Sequence, residues 1–174
     1  PPVYAGSADA QYVMQNITVD SRTLRTIVWQ SKKVLPKSVV EYRKAGETNS
    51  TIVECENADF NTDEGLVHKH TGTLVNLQPG TVYEYCVGDD KERTHWFTFT
   101  TEAKVDSNYK ALIFPDSQCG DYKVWQGLAD AAWQANKDAV FFINMGDLVD
   151  NGEQYFQWRA WLGAISGMVS TIPA

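Results

Sequence analysis

Cysteine, histidine and positive charge are all scarce in this 174-residue chain, which has 3 Cys, 3 His and 15 Lys+Arg against 22 Asp+Glu. A formal net charge of −7 without any Lys/Arg run excludes nucleic-acid binding by phosphate neutralisation, so no nucleic-acid partner is expected. No apolar stretch reaches the roughly 18 residues of a membrane span, and the opening residues do not read as a signal peptide. Cys55, Cys86 and Cys119 form no C-x-x-C pair, which removes the common zinc and redox motifs. Their odd number permits one disulfide plus a free thiol. Cys55 and Cys86, both in strand-like segments, are the pair that could form it, and three free thiols is the alternative. Neither G-x-G-x-x-G nor a P-loop is present, which weighs against a nucleotide-binding βαβ protein. The triplets beginning at Asn16 and Asn49 would accept glycans only in a secretory setting. Apolar residues at 43% and aromatics at 12% then define an acidic, aromatic-rich globular protein rather than a disordered chain.

The first hundred residues read as β structure. Segments 13–19, 23–30, 38–43, 50–55, 66–74, 81–88 and 94–101 are short and rich in Val, Ile, Thr, Tyr and Trp, with Gly-, Pro- and Asp-containing turns between them. Tyr83 and Tyr85 alternate onto one face of their strand, and Phe97 and Phe99 onto one face of theirs. Seven such strands in about 100 residues predict an antiparallel β-sandwich. His68 and His70 share a strand face, where an ordinary hydrogen-bonded or exposed pair is expected rather than a metal site.

Beyond residue 104 the period changes. An apolar run over 111–115 predicts a strand that ends at Asp116. Residues 122–137 predict a helix with two adjoining apolar stripes, Val124/Leu128/Ala132 and Trp125/Ala129/Trp133. The run 139–145 predicts a second strand covered on both faces, and 153–165 a second helix with Phe156, Trp158, Trp161, Leu162 and Ile165 on a broad apolar face. Strand, helix, strand implies a parallel βαβ unit, in which ligands bind beyond the carboxyl ends of the strands. Asp116 and Asp147 stand at those two ends, and Gly146 allows the sharp turn between. If the strands are neighbours, the two carboxylates can reach one cation, and such oxygen donors suit hard or borderline divalent metals. The competing reading makes each aspartate a turn residue or helix N-cap.

Ala111-Leu-Ile-Phe-Pro-Asp116-Ser-Gln118-Cys-Gly, followed by Phe141-Phe-Ile-Asn-Met-Gly146-Asp147-Leu-Val-Asp150-Asn151-Gly, resembles the first two motifs of calcineurin-like metallophosphoesterases. The segment from His70 to Gly88 resembles the fibronectin type III-like domain that precedes the catalytic domain in purple acid phosphatases. The resemblance implies a fibronectin type III-like β-sandwich over 1–104, followed by the N-terminal part of an incomplete α/β metallophosphoesterase domain over 105–174. It implies metal-dependent phosphoric ester hydrolysis in the intact protein. Two Fe, Zn or Mn ions would serve it, with Asp116 a ligand of one and Asp147 bridging both. It also implies a phosphate-ester substrate and a place outside the cytoplasm, whether extracellular, periplasmic or at the cell surface.

The chain departs from the family pattern at two positions. Gln118 stands where a histidine or glycine is usual, and Asp150 stands where purple enzymes carry a metal-binding tyrosine, so their charge-transfer colour is not expected. Asp150 and Asn151 are read as supporting groups rather than ligands. The family's later histidine motifs have no counterpart, since His68, His70 and His95 all precede the change of period. The 174 residues are therefore read as part of a longer enzyme, without turnover of their own and with no catalytic residue assigned. An uncovered aromatic and apolar face in such a unit would favour self-association. The rival reading is a secreted β-sandwich interaction or adhesion module with a non-catalytic α/β appendage.

Overall fold

The structure is a computed structural model and describes residues 1–6, 9–104 and 108–174. Eight strands come first: β1 (Gln11–Asn16), β2 (Arg25–Ser31), β3 (Val39–Lys44), β4 (Thr51–Glu54), β5 (Glu56–Thr62), β6 (Gly65–Leu74), β7 (Val82–Gly88) and β8 (Phe97–Thr100). They form two four-stranded antiparallel sheets, ordered β1-β2-β6-β5 and β4-β3-β7-β8. This is the expected sandwich with one strand more than the periodicity indicates. β5 is exposed almost throughout and pairs only with β6, so no alternation of apolar residues marks it. The chain changes sheets at Cys55, whose N–H donates to Ser38 O at 2.8 Å.

Ile27, Trp29, Val40, Leu74, Tyr85 and Phe99 fill the space between the sheets. Gly72 is required there, because a Cβ at this position would come within 2.4 Å of Val40 Cγ2 and 3.3 Å of Cys55 Sγ. The disulfide considered between Cys55 and Cys86 is not made, and both thiols are free. Cys55 belongs to the inner cluster, whereas Cys86 lies between the inward residues Tyr85 and Val87 and pairs with Glu41 on the outer face. Alternate residues of a pleated strand point to opposite sides, so the two sulfurs cannot meet. Burial pushes the thiols up to about 11 for Cys55 and about 12 for Cys86.

The histidine pair is a buried polar network. His70 Nε2 lies 2.8 Å from Ser31 Oγ and its Nδ1 2.6 Å from Asn57 Oδ1, with the ring centroid 4.1 Å from that of Trp29. His68 Nδ1 lies 2.7 Å from Asp59 Oδ1. Burial, and then the neighbouring His68, lower the His70 pKa to about 4. Asp9 and Asp59 oppose that shift.

Four further elements follow: β9 (Lys110–Phe114), α1 (Tyr122–Ala135), β10 (Ala139–Asn144) and α2 (Tyr155–Val169). β9 and β10 pair in parallel, with Leu112 opposite Phe142 and Phe114 opposite Asn144. Asp121 caps α1 by accepting the Lys123 N–H at 3.0 Å. Trp125, Ala129 and Trp133 of α1 share one cluster with Trp161, Ile165 and Met168 of α2 and with Leu112 and Phe142 of the sheet.

Only one of the two expected α1 stripes is buried, since Val124 and Leu128 are 69% and 56% exposed. Nor is β10 covered on both faces among the described residues. Ile113, Val140 and Ile143 remain exposed, because both helices pack on the Leu112/Phe142 side. α2 starts two residues after the expected point and continues to Val169, as burial of Met168 and Val169 requires. No helix among the described residues is long and apolar enough to cross a membrane.

The sandwich grips α2 at both ends. At its start, Tyr155 N donates to Asp63 Oδ1 at 2.8 Å and Arg159 Nη2 pairs with Glu64 Oε1 at 2.6 Å. At its end, Ser170 O accepts both Gln15 Nε2 and Tyr85 Oη–H at 2.7 Å. Ala174 continues the contact by pairing with β1, donating to Gln15 O at 2.9 Å and accepting from Ile17 N at 3.2 Å. Phe142 N meanwhile donates to Pro173 O at 2.9 Å, which ties β10 to the same segment. The boundary expected between 104 and 105 falls where description stops, since residues 105–107 lie outside the described residues.

His70 makes stability pH-dependent with a definite sign. Its folded pKa of about 4 lies below the 6.5 of the free side chain, so between those values the unfolded chain binds the extra proton. Stability is complete above pH 6.5 and declines as pH falls towards 4, by about 3 kcal/mol in all. Urea titrations from pH 7 to pH 4 should show this loss, and His70→Gln should flatten it.

Candidate metal centre

The parallel pairing continues past the ends of the strands. Met145 N donates to Phe114 O at 2.8 Å, Asp116 N to Gly146 O at 3.3 Å, and Gln118 N to Asp147 O at 2.8 Å. The two expected ligand positions, Asp116 and Asp147, are thereby held on adjacent stretches of backbone at one edge of the sheet. Both adopt left-handed backbone conformations, with φ of 50° and 49°, and Gly146 between the strands and Asp147 has φ of 106°. Side chains other than glycine reach this region at a steric cost, and such residues gather where function requires them.

The N-cap alternative does not hold for either residue. α1 is capped by Asp121, and the cap position of α2 is Gln154. Both aspartates are exposed at the strand ends.

A buried polar floor supports the two loops. Ser117, next to Asp116, is buried, and its Oγ accepts Asn144 Nδ2–H at 2.7 Å and Trp161 Nε1–H at 2.8 Å. Asn144 Oδ1 in turn accepts Gly146 N–H at 3.1 Å, which shapes the turn leading to Asp147. Gln157 Oε1 accepts the N–H groups of Asp150 and Asn151 at 2.9 and 3.1 Å and the Tyr122 hydroxyl at 3.2 Å. Asp150 and Asn151 thus support the loop through their main-chain N–H groups. Sequence reasoning does not single out Ser117, Asn144, Gln157 or Trp161. The only sign is a lone polar residue set in an apolar stretch, as with Asn144 at the end of its strand and Gln157 within its helix.

Two carboxylates alone do not complete a metal site, since zinc takes about four donors and calcium about six to eight. Among the described residues no group of three or more His, Cys, Asp or Glu side chains converges. The structure brings Asp116 and Asp147 to a common edge and leaves His68, His70 and His95 in the sandwich, each in contact with its own neighbours.

A fibronectin-like sandwich joined to a parallel α/β unit, with aspartates at the ends of both parallel strands, is the class of protein that this architecture defines. Residues 11–101 match the family described as Purple acid Phosphatase, N-terminal domain. The chain belongs to that family. A solved structure of PhoD aligns over 99% of this chain at 11% identity with a TM-score of 0.54, so the shared fold extends from the sandwich through the α/β unit. This chain spans 39% of that PhoD chain.

Two other solved structures align less closely. The sensor domain of the anti-sigma factor RsgI4 of Pseudobacteroides cellulosolvens has 16% identity, covers 55% of this chain and 97% of its own, and has a TM-score of 0.40. Astrotactin-2, a vertebrate-specific and perforin-like membrane protein, has 11% identity, covers 72% and 25%, and has a TM-score of 0.41. Comparison with curated proteins yields no match.

Removing the Ser117 hydroxyl strands two donors beneath the loops. Ser117→Ala should cost about 2 kcal/mol in urea denaturation. Asp116→Gly and Asp147→Gly, by contrast, should leave stability unchanged or raise it by up to about 1 kcal/mol, because glycine occupies positive φ without strain. Equal losses in all three variants would contradict the division between the floor and the strand-end aspartates.

Proposed function

We propose that the intact protein is a metal-dependent phosphoric ester hydrolase in which Asp116 and Asp147 are metal ligands. The observation that carries the reading is the pair of exposed aspartates, both at positive φ and neither capping a helix, at the ends of neighbouring parallel strands. Membership of the purple acid phosphatase N-terminal family supports the same reaction class. Two bound ions of the Fe, Zn or Mn type would supply Lewis acidity towards a phosphoryl oxygen and a hydroxide near neutral pH. Asp147 would hold the two ions together and Asp116 would anchor one. Ser117, Asn144 and Gln157 would keep the loops in place without touching substrate. The two carboxylates are a partial donor set, so the reading assigns the remaining donors to a longer chain, and it places that protein outside the cytoplasm.

The decisive measurement is phosphatase activity of a full-length protein supplied with Mn, Zn or Fe. Asp147→Asn should lower kcat/KM by about a hundredfold or more, a loss of the size expected when a group stabilising the transition state is removed. An unchanged rate would refute the assignment. In the 174-residue chain, Mn²⁺ should broaden the amide resonances around 116 and 147 selectively, while turnover stays at background.

A second reading, an interaction module that associates through its α/β unit, draws on one observation. Ile113, Val140 and Ile143 form an uncovered apolar sheet face. If that face drives self-association, sedimentation should show a concentration-dependent rise in mass that Ile113→Lys abolishes.

A further inference from the structure

A cleft of about 480 Å³ opens on the seam between the sandwich and α2. Its size falls in the range of small-molecule sites, about 300–1,000 Å³. One wall is the end of β5, with Phe60 and Asn61, and the other is the start of α2 with its preceding loop, including Glu153, Trp158 and Leu162. Contacts between the walls join them at one end. Asp63 accepts the Tyr155 N–H, Tyr155 Oη–H donates to Gln30 Oε1, and the Phe60 and Tyr155 rings meet edge to face with centroids 6.1 Å apart. Trp158 is half-buried, and its indole is held by a hydrogen bond of its own, Nε1–H to Gly152 O at 2.9 Å. A separate, smaller cleft of about 290 Å³ shares Thr62 and Tyr155 in its lining and also carries Lys32, Glu64 and Arg159.

The chemistry of the lining narrows the occupant. The main cleft contains the carboxylates of Asp63 and Glu153 and no lysine or arginine, so it repels a phosphate or any other anion. Two aromatic residues, Phe60 and Trp158, line it, which suits a flat or ring-shaped ligand with apolar C–H surface. Beside them stand the Asn61 amide and the Glu153 carboxylate, both exposed and offering donors and acceptors at the rim. Aromatic rings beside an amide and a carboxylate match a ligand ring whose faces are C–H and whose edge is hydroxyl. We infer that this seam cleft is a binding site for a neutral sugar, with Trp158 as the stacking platform and Asn61 and Glu153 as the hydroxyl-recognising groups. The inference stands independently of metal binding, since it uses neither Asp116 nor Asp147.

The test titrates the folded 174-residue chain with a panel of neutral disaccharides built from glucose, galactose and N-acetylglucosamine, followed by calorimetry and indole fluorescence. At least one should bind saturably in the millimolar range with a change in tryptophan emission. Trp158→Ala and Asn61→Ala should each weaken that binding tenfold or more, whereas Tyr109→Ala, at an exposed residue just before β9 and outside the cleft lining, should leave it intact. Asn61 is exposed, so its variant reports on binding even if Trp158→Ala perturbs folding. The absence of saturable binding across the panel overturns the proposal. So does binding that is indifferent to Asn61→Ala, or tighter binding of adenosine or choline than of any sugar.

Discussion

Phe114 lies opposite Asn144 in the parallel ladder, and the arrangement of the α/β unit follows from that register. Hydrogen bonding does not stop with the strands but runs on through Met145, Asp116 and Gln118, so two loops of different length leave the sheet side by side. A slip of β10 by one residue would turn Phe142 away from the tryptophans of α1 and α2 and bring Ile143 inward instead. It would also separate Ser117 from Asn144 and Trp161, leaving buried polar groups without partners. The apolar cluster and the polar floor thus demand the same register. That agreement holds Asp116 and Asp147 on neighbouring stretches of backbone at one edge.

The sandwich is more than a neighbour of this edge. α2 follows directly on the loop that carries Asp147, and its position is set by contacts from the sandwich at both ends. The contacts differ in kind. Arg159 and Glu64 form a partly exposed ion pair, of the sort worth at most about 1 kcal/mol. The bonds from Gln15 and Tyr85 to Ser170 O are buried, and losing either donor would leave the carbonyl poorly satisfied in an apolar setting. Burial also pushes the Tyr85 hydroxyl far above its ordinary pKa, so it stays a neutral donor at any physiological pH. The firm end of the joint therefore lies at the C-terminus of α2. The cleft opens at the other end, where polar and partly exposed groups meet.

Most of the architecture was readable because it rests on local periodicity. The tyrosines of β7, the phenylalanines of β8 and the Trp125/Ala129/Trp133 stripe of α1 all face inward as their spacing requires. Where the reading fell short, the cause was an environment rather than a propensity. β5 carries almost no apolar residue because it is an exposed edge, and its existence depends on the ladder with β6. Val124 and Leu128 have the same helical spacing as the buried stripe, and only the one-sided packing of the sheet shows which stripe is covered. The Cys55/Cys86 question needed the inward side of the crossing between sheets and the outer face of β7, which spacing along the chain does not contain.

Sequence alone determined the order of elements, the change from a two-residue to a helical period, and the placing of an aspartate after each strand of a βαβ unit. These follow from how side chains alternate along a strand or recur around a helix, which is a property of neighbouring residues. Tertiary structure decided the left-handed backbone of both aspartates, their release from any capping role, and the Ser117–Asn144–Trp161 floor beneath them. It also decided the seam between β5 and α2, whose walls come from residues about 95 positions apart. Groups so distant are brought together only when buried polar atoms find partners and apolar faces find cover, and no local pattern records that outcome.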